Sequence, residues 1–253
     1  MVVVRNYASL NSWMLGYADL ARRRMAETIA LARAIEDPYE IARARYFESF
    51  LHYFLRDALR AMAAAHEALA LSEEHGFSSP GAMSQVILGW AQAQLGSPGE
   101  GVSSIRRGLA GFVEISSRLN ITDLLTRLAE AQVLGGAIDA ALSTLEDALH
   151  ANPEELIFQP NILTRRGELR FKTGHLELAE TDFREAIDRA QKMKAKALEL
   201  RASTGLARML LARGDRAAAR DLLAPVYGWF TEGFDTGDLK DVKVLLDELS
   251  VGS

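Results

Sequence analysis

The side chains that could do chemistry in this chain are scattered. Five histidines, His52, His66, His75, His150 and His175, stand far apart, and none shares a helical face with an acid at the spacing of a zinc site such as His-Glu-x-x-His. Cysteine is absent, which excludes disulfides and thiolate metal sites and leaves serine and threonine as the only nucleophiles. No serine sits in a Gly-x-Ser-x-Gly turn. Phe171-Lys172-Thr173-Gly174 has the Lys-Thr of a phosphate loop without the preceding glycines, so no nest of backbone N–H groups forms there. Gly96-Ser97-Pro98-Gly99-Glu100-Gly101 is glycine-rich, yet it follows a helix and lacks dinucleotide spacing; Pro98 suits a helix start. The carboxylate pairs Glu73-Glu74 and Glu154-Glu155 lie near predicted helix ends and read as solvated faces. These patterns predict no catalysis, no metal and no cofactor.

Charge gives the same answer for nucleic acid. The 29 Lys and Arg are outnumbered by 34 Asp and Glu, for a net charge of -5, whereas a nucleic-acid footprint is basic on one face. Arg22-Arg23-Arg24 fans around a predicted helix, and Lys192, Lys194 and Lys196 sit at a helix end, where cations suit the dipole. Asn120-Ile121-Thr122 matches a glycosylation acceptor, with nothing else pointing to secretion. The apolar run Met1 to Val4 is too short for a signal peptide. The longest uncharged stretch, Gly76 to Gly99, carries serines, glutamines and two prolines, and reads as a buried helix with its loops. A soluble, cytoplasmic protein with no membrane contact is the expectation.

The elements that must position any site show a repeat. Turn signals stand at Gly16, Arg56, Gly96, Gly136, Gly174 and Gly214, spaced 40, 40, 40, 38 and 40 residues apart. Seven residues before these anchors lie Ser9, Ser49, Gly89, Ala129, Gly167 and Ala207; five after lie Ala21, Ala61, Gly101, Ala141, Ala179 and Ala219. All twelve are small, which is what two antiparallel helices need where they cross closely; a leucine there would overpack at a cost of about 1–3 kcal/mol. Nine after lie Met25, Ala65, Ile105, Leu145, Phe183 and Leu223, all apolar, to fill the space between neighbouring hairpins. After Phe234, Asp235 or Thr236 can cap a last helix whose stripe is Leu239, Val242, Leu245, Leu246 and Leu249, with Asp238 and its charged neighbours facing water. The first helix instead carries Val2, Val3, Val4, Tyr7, Leu10, Trp13 and Met14, as if it packs against something outside the chain or continues a longer array.

Twelve after the anchors lie Thr28, Ala68, Gly108, Ala148, Ala186 and Val226, mostly small, and the order small, small, large, small at these offsets resembles the tetratricopeptide repeat. The period near forty is longer than the common 34. It looks like the longer-helix form at the C-terminal end of bacterial nucleotide-cyclase-like and LuxR-type regulatory proteins, in which a cyclase-like or DNA-binding domain and an ATPase domain precede the array. Arg220 to Thr236, Leu15-Gly16-Tyr17 and Glu74-His75-Gly76-Phe77 carry that likeness. The resemblance implies an all-α fold: a right-handed α-solenoid forming one domain over 1–253, with hairpins at 3–36, 38–76, 79–118, 121–151, 157–194 and 196–232 and a capping helix at 236–250.

It also implies where a partner sits. Tetratricopeptide first helices line a concave face through positions ten, six and three before each anchor. Here these include Trp13, Tyr46, Phe50, Tyr53, Val86 and Trp90 in the first half and Glu130, Thr164, Glu168, Phe171, Thr204 and Arg208 in the second. Trp, Tyr and Arg are common hot-spot residues, and we take Trp13, Tyr46, Phe50, Tyr53, Trp90, Glu130, Glu168 and Arg208 as candidate partner contacts. Aromatic residues at helical spacing also fit a plain core. The Lys and Asn clamp that holds chaperone tails is not present, since Tyr46, Phe50, Val86 and Trp90 stand at the matching positions. The expectation is a non-catalytic scaffold for a protein or peptide partner, an upstream domain of a larger polypeptide among the candidates. The alternative is a peptide- or ligand-sensing receptor using the aromatic groove.

Overall fold

A computed structural model describes residues 1–114 and 120–250, so residues 115–118 of the expected third hairpin lie outside it. Among the described residues the regular elements are helices: α1 Val2–Met14, α2 Ala18–Ile35, α3 Pro38–Phe54, α4 Ala58–His75, α5 Ser78–Gln94, α6 Pro98–Glu114, α7 Ile121–Leu134, α8 Ile138–Ala151, α9 Gln159–Lys172, α10 Leu176–Lys192, α11 Lys196–Ala212, α12 Arg216–Gly228 and α13 Gly237–Ser250. A single 3-10 turn, Leu156–Phe158, precedes α9.

All six turn anchors adopt the left-handed backbone, with φ of 99°, 102°, 80°, 83° and 86° at Gly16, Gly96, Gly136, Gly174 and Gly214, and 60° at Arg56. A side chain is disfavoured in that region, which is why five of the six are glycine. The helices then start on caps where the sequence allows: Asp37, Asp57 and Asp215 accept from the backbone N–H of Tyr39, Arg60 and Ala218 at 2.9, 3.1 and 3.0 Å.

The helices fall into two compact units, Met1–Trp13 with Asp19–Asn152, and Met14–Ala18 with Pro153–Ser253. In unit 1 the small residues do what their spacing predicts. A Cβ added to Gly89 would stand 2.5 Å from the Gly101 carbonyl oxygen, and one on Gly108 2.7 Å from that of Ala82; α5 and α6 touch backbone to backbone. In the first hairpin the same crossing is closed by Ser9 Oγ donating to the Ala21 carbonyl at 2.7 Å. Val2, Leu10 and Trp13 are buried, while Val4 and Tyr7 are exposed.

In unit 2 the ring of Phe183, wholly buried, fills the space over Gly167 and Gly205, at either of which a Cβ would press on it. Leu239, Val242, Leu245 and Leu249 of α13 complete a core with Leu200, Ala207, Leu223 and Phe230. Asp238 departs from the expected solvated face: only 15% of its side chain is exposed, and Arg201 donates to it at 2.8 Å.

Candidate functional site

The aromatic candidates come together in unit 1. On α3, Tyr46, Phe50, Tyr53 and Phe54 recur at helical spacing and are buried on one side. Their rings form a ladder: Tyr46 to Phe50 at 6.0 Å, Phe50 to Phe54 at 4.7 Å, and Trp13 stacked on Phe54 at 4.3 Å. Trp90 of α5 meets Tyr53 edge-on at 4.9 Å. Each such pair adds about 0.5–1.5 kcal/mol beyond its burial. Trp13, Tyr46, Phe50, Tyr53 and Trp90 are each at most 5% exposed, so the ladder packs on itself and on its neighbours.

Helix α7 lays a polar stripe on that ladder. Asp123, Arg127 and Glu130 follow at i, i+4 and i+7, which places them on one face. Arg127 is wholly buried, its guanidinium carbon 4.3 Å from the Phe50 ring centre and 4.4 Å from that of Tyr53. It forms an ion pair with the equally buried Asp123, and none of its nitrogens makes a directed hydrogen bond. A desolvated cation over aromatic faces gains about 2 kcal/mol or more, against a desolvation cost of several kcal/mol. Half-buried Glu130 accepts from Trp90 Nε1 at 2.7 Å and from the Tyr53 hydroxyl at 3.4 Å. Burial pushes the Tyr46 hydroxyl above its ordinary range, with Asp123 and Tyr7 adding to the rise and Arg127 opposing it.

A recess of about 140 Å³ opens in unit 1 toward the N-terminal ends of the first helices. Val3, Arg43 and Met83 line it from one register, thirteen residues before their anchors, and Tyr7 and Phe47 from another, nine before. The open space therefore lies about a turn nearer the helix starts than most of the positions read from the sequence; Tyr46 is the one candidate that reaches it.

Glu168 and Arg208 belong to unit 2. Arg165 donates to Glu168 at 3.0 Å, and Arg208 lies 4.0 Å from Asp241, with about half of its side chain exposed. The most buried charge there is Asp182, which takes Arg166 at 2.6 and 3.1 Å and Arg170 at 2.8 Å. The charged runs of the sequence are paired locally, Arg22 with Asp19, Lys192 with Asp188 and Lys196 with Glu199. Among the described residues no group of three or more His, Asp or Glu is arranged to hold a metal, and no helix is long and apolar enough to cross a membrane.

Sequence reasoning missed Asp123 and Arg127. The available signal was an acid and a base at i and i+4 inside a helix whose other buried residues carry no charge.

The fold places the chain among tetratricopeptide-like helical arrays. The quorum sensor NprR in complex with its cognate peptide NprX aligns with a TM-score of 0.70, at 13% identity, over 98% of this chain and 72% of that one. A Rap protein complexed with competence and sporulation factor aligns at 0.67 and 14% identity, over 97% and 73%. A putative kinesin light chain with nearly identical repeats from Podosopora anserina aligns at 0.51 and 18%, over 76% and 94%. No protein-family model and no curated protein sequence matches the chain.

Proposed function

We propose that this chain is a regulatory scaffold that binds a peptide, or an extended segment of a partner protein, along the first-helix face of unit 1, and that it carries out no chemistry itself. The observation that carries the reading is the juxtaposition in unit 1 of an open recess with a polar and aromatic ladder, in a fold shared with NprR, seen with its cognate peptide, and with a Rap protein, seen with competence and sporulation factor. The buried aromatic residues form the frame, and Glu130 and the recess form the accessible part. The peptide-sensing alternative thus has more support than a scaffold with no ligand. Occupancy would act by redistributing the packing of α1, α3, α5 and α7, since a ligand shifts a conformational equilibrium by its differential affinity for the two states.

The finer proposal concerns context. The Arg220–Thr236 segment looks like the end of arrays attached to cyclase-like or LuxR-type regulators, so the signal would pass to an upstream domain. An immunoblot of native extract checks this: a band well above 27.8 kDa supports the attached array, and a band at that mass removes it.

The scaffold reading itself is tested by thermal unfolding with pools of synthetic heptapeptides. A ligand at one hundred times its Kd stabilises the folded state by about 2.7 kcal/mol, so a binding pool raises the melting temperature by several degrees. If no pool moves the curve, the reading loses its support.

A further inference from the structure

The recess in unit 1 has a composition that selects its guest. Its floor is apolar: Phe47, Met83 and Phe112 are each at most 6% exposed. Its walls carry hydrogen-bonding groups, the hydroxyls of three tyrosines and the Arg43 guanidinium among them. The hydroxyls of Tyr7, Tyr39 and Tyr46 make no hydrogen bond to any described residue, although Tyr46 is only 5% exposed. Arg43 uses one terminal nitrogen on both oxygens of Glu40, and its Nε is buried without a partner. A buried donor with no acceptor, as at Arg43 Nε, is costly, and a guest that supplies one recovers that cost.

The charges decide between kinds of acceptor. The cation that lines the recess, Arg43, is already met by Glu40. The Arg43 charge is thus already offset, and an entering carboxylate would compete with, and be repelled by, the Glu40 carboxylate that holds it. A neutral carbonyl oxygen meets no such repulsion. Size limits the rest. An apolar cavity of about 150 Å³ holds one benzene ring, so about 140 Å³ holds a single leucine- or phenylalanine-sized side chain.

We infer that this recess is a side-chain subsite for one bulky apolar residue of an extended peptide, with Tyr46 and Arg43 donating to the main-chain carbonyl beside it. The inference rests on the peptide-scaffold reading and names the feature of the peptide that unit 1 selects. Tyr7 and Tyr39, 44% and 38% exposed, form the lip over which the neighbouring residues run.

The test is amide NMR of the full chain titrated with millimolar N-acetyl-leucinamide, N-acetyl-serinamide and N-acetyl-leucine. Leucinamide is expected to shift the amides of Tyr46, Phe47, Met83 and Phe112, and serinamide to leave them unmoved. N-acetyl-leucine, which carries the charge, is expected to bind more weakly than leucinamide. Tyr46→Phe keeps the ring and removes the donor, and weakens leucinamide by about two- to tenfold. Met83→Trp fills the floor and abolishes the shifts; should it fail to fold, Tyr46→Phe still decides. Equal binding of serinamide, tighter binding of N-acetyl-leucine, or no leucinamide shift at these residues overturns the subsite. A heptapeptide pool separates this from the wider reading. Shifts elsewhere with none in the recess sink the subsite alone, whereas no shift anywhere sinks the scaffold.

Discussion

Units 1 and 2 each bury an ion pair, but unit 1 buries both ends of it and unit 2 only the anion. In unit 1 the cation of Arg127 and the anion of Asp123 are both out of water, 0% and 1% exposed, and aromatic faces take the place of hydrogen bonds. In unit 2 only the anion is buried. Asp182 is 1% exposed, while Arg166 and Arg170 keep 15% and 17% of their side chains at the surface and meet it with three well-formed hydrogen bonds. The same repeat thus tolerates two solutions at the crossing of neighbouring helices. One is dry, aromatic and poorly hydrogen-bonded, which suits a surface that repacks around a guest. The other is wet-edged and fully satisfied, which suits a fixed support.

The largest test of this contrast is Arg127→Met. It leaves Asp123 charged in a dry site, and unit 1 is expected to lose about 3–5 kcal/mol, read by native-state hydrogen exchange over α7. Adding Asp123→Leu should restore most of the loss, because an apolar pair of similar volume often replaces a buried ion pair at no net cost. A single change costing under about 1 kcal/mol would show that water reaches Arg127, and the contrast would fail.

Asp182→Asn is the matching change in unit 2. Both arginines can turn to solvent, so the expected loss is that of the charge-assisted hydrogen bonds, about 1.5–3 kcal/mol, seen as faster exchange over α10. A loss equal to that of Arg127→Met would mean that the two pairs are equally dry.

A smaller effect, with the opposite sign, belongs to Arg56. It holds φ at 60° where the other five anchors are glycine. Arg56→Gly relieves about 1–2 kcal/mol of strain and returns about 0.4–1 kcal/mol as unfolded-state freedom. A net gain of about 0.5–1 kcal/mol is expected from urea unfolding. A loss would show that the side chain's own contacts outweigh the strain.

These positions also show what the sequence makes legible. The hairpins are readable because Gly89 against Gly101 and Ser9 against Ala21 obey a steric rule that only small residues satisfy. A second set of left-handed turns, closing the second helices, includes Glu36 and Lys194 at φ of 59° and 57° beside Gly76 and Gly233. Their side chains announce no turn, and tertiary packing imposes it. The aromatic residues are visible at their offsets, but whether they open on a groove or stack on each other depends on Arg127, a single residue of a different repeat. The recess escapes the pattern for a related reason. Its shared register holds Val3, Arg43 and Met83, three unlike side chains that no repeat signature joins.

The finest distinction between the units is in pH. In unit 1, burial lowers the pKa of His52 from its ordinary 6.5, against the upward pull of Glu48 and Asp57 and with help from Arg60 and Arg22. Its neutral form is the one the fold accepts. Above the ordinary value the folded and unfolded chains are both neutral at this site and it contributes nothing. As pH falls through 6.5 the unfolded chain takes up the proton first, so unit 1 loses stability until the folded value is passed. In unit 2 the pKa of Glu180 is lowered too, but there the charged form is the one favoured, since hydrogen bonds from Arg184 and Arg213 hold it below the ordinary 4.5. That contribution is present above 4.5 and fades only below it. Between pH 7 and pH 5, protection over α3, corrected for the intrinsic pH dependence of amide exchange, is therefore expected to fall slightly while protection over α10 holds. His52→Gln should flatten the α3 profile against the wild type. If the variant and wild type keep the same slope, another group titrates in unit 1 and the dry, neutral character assigned to its first helices does not extend to His52.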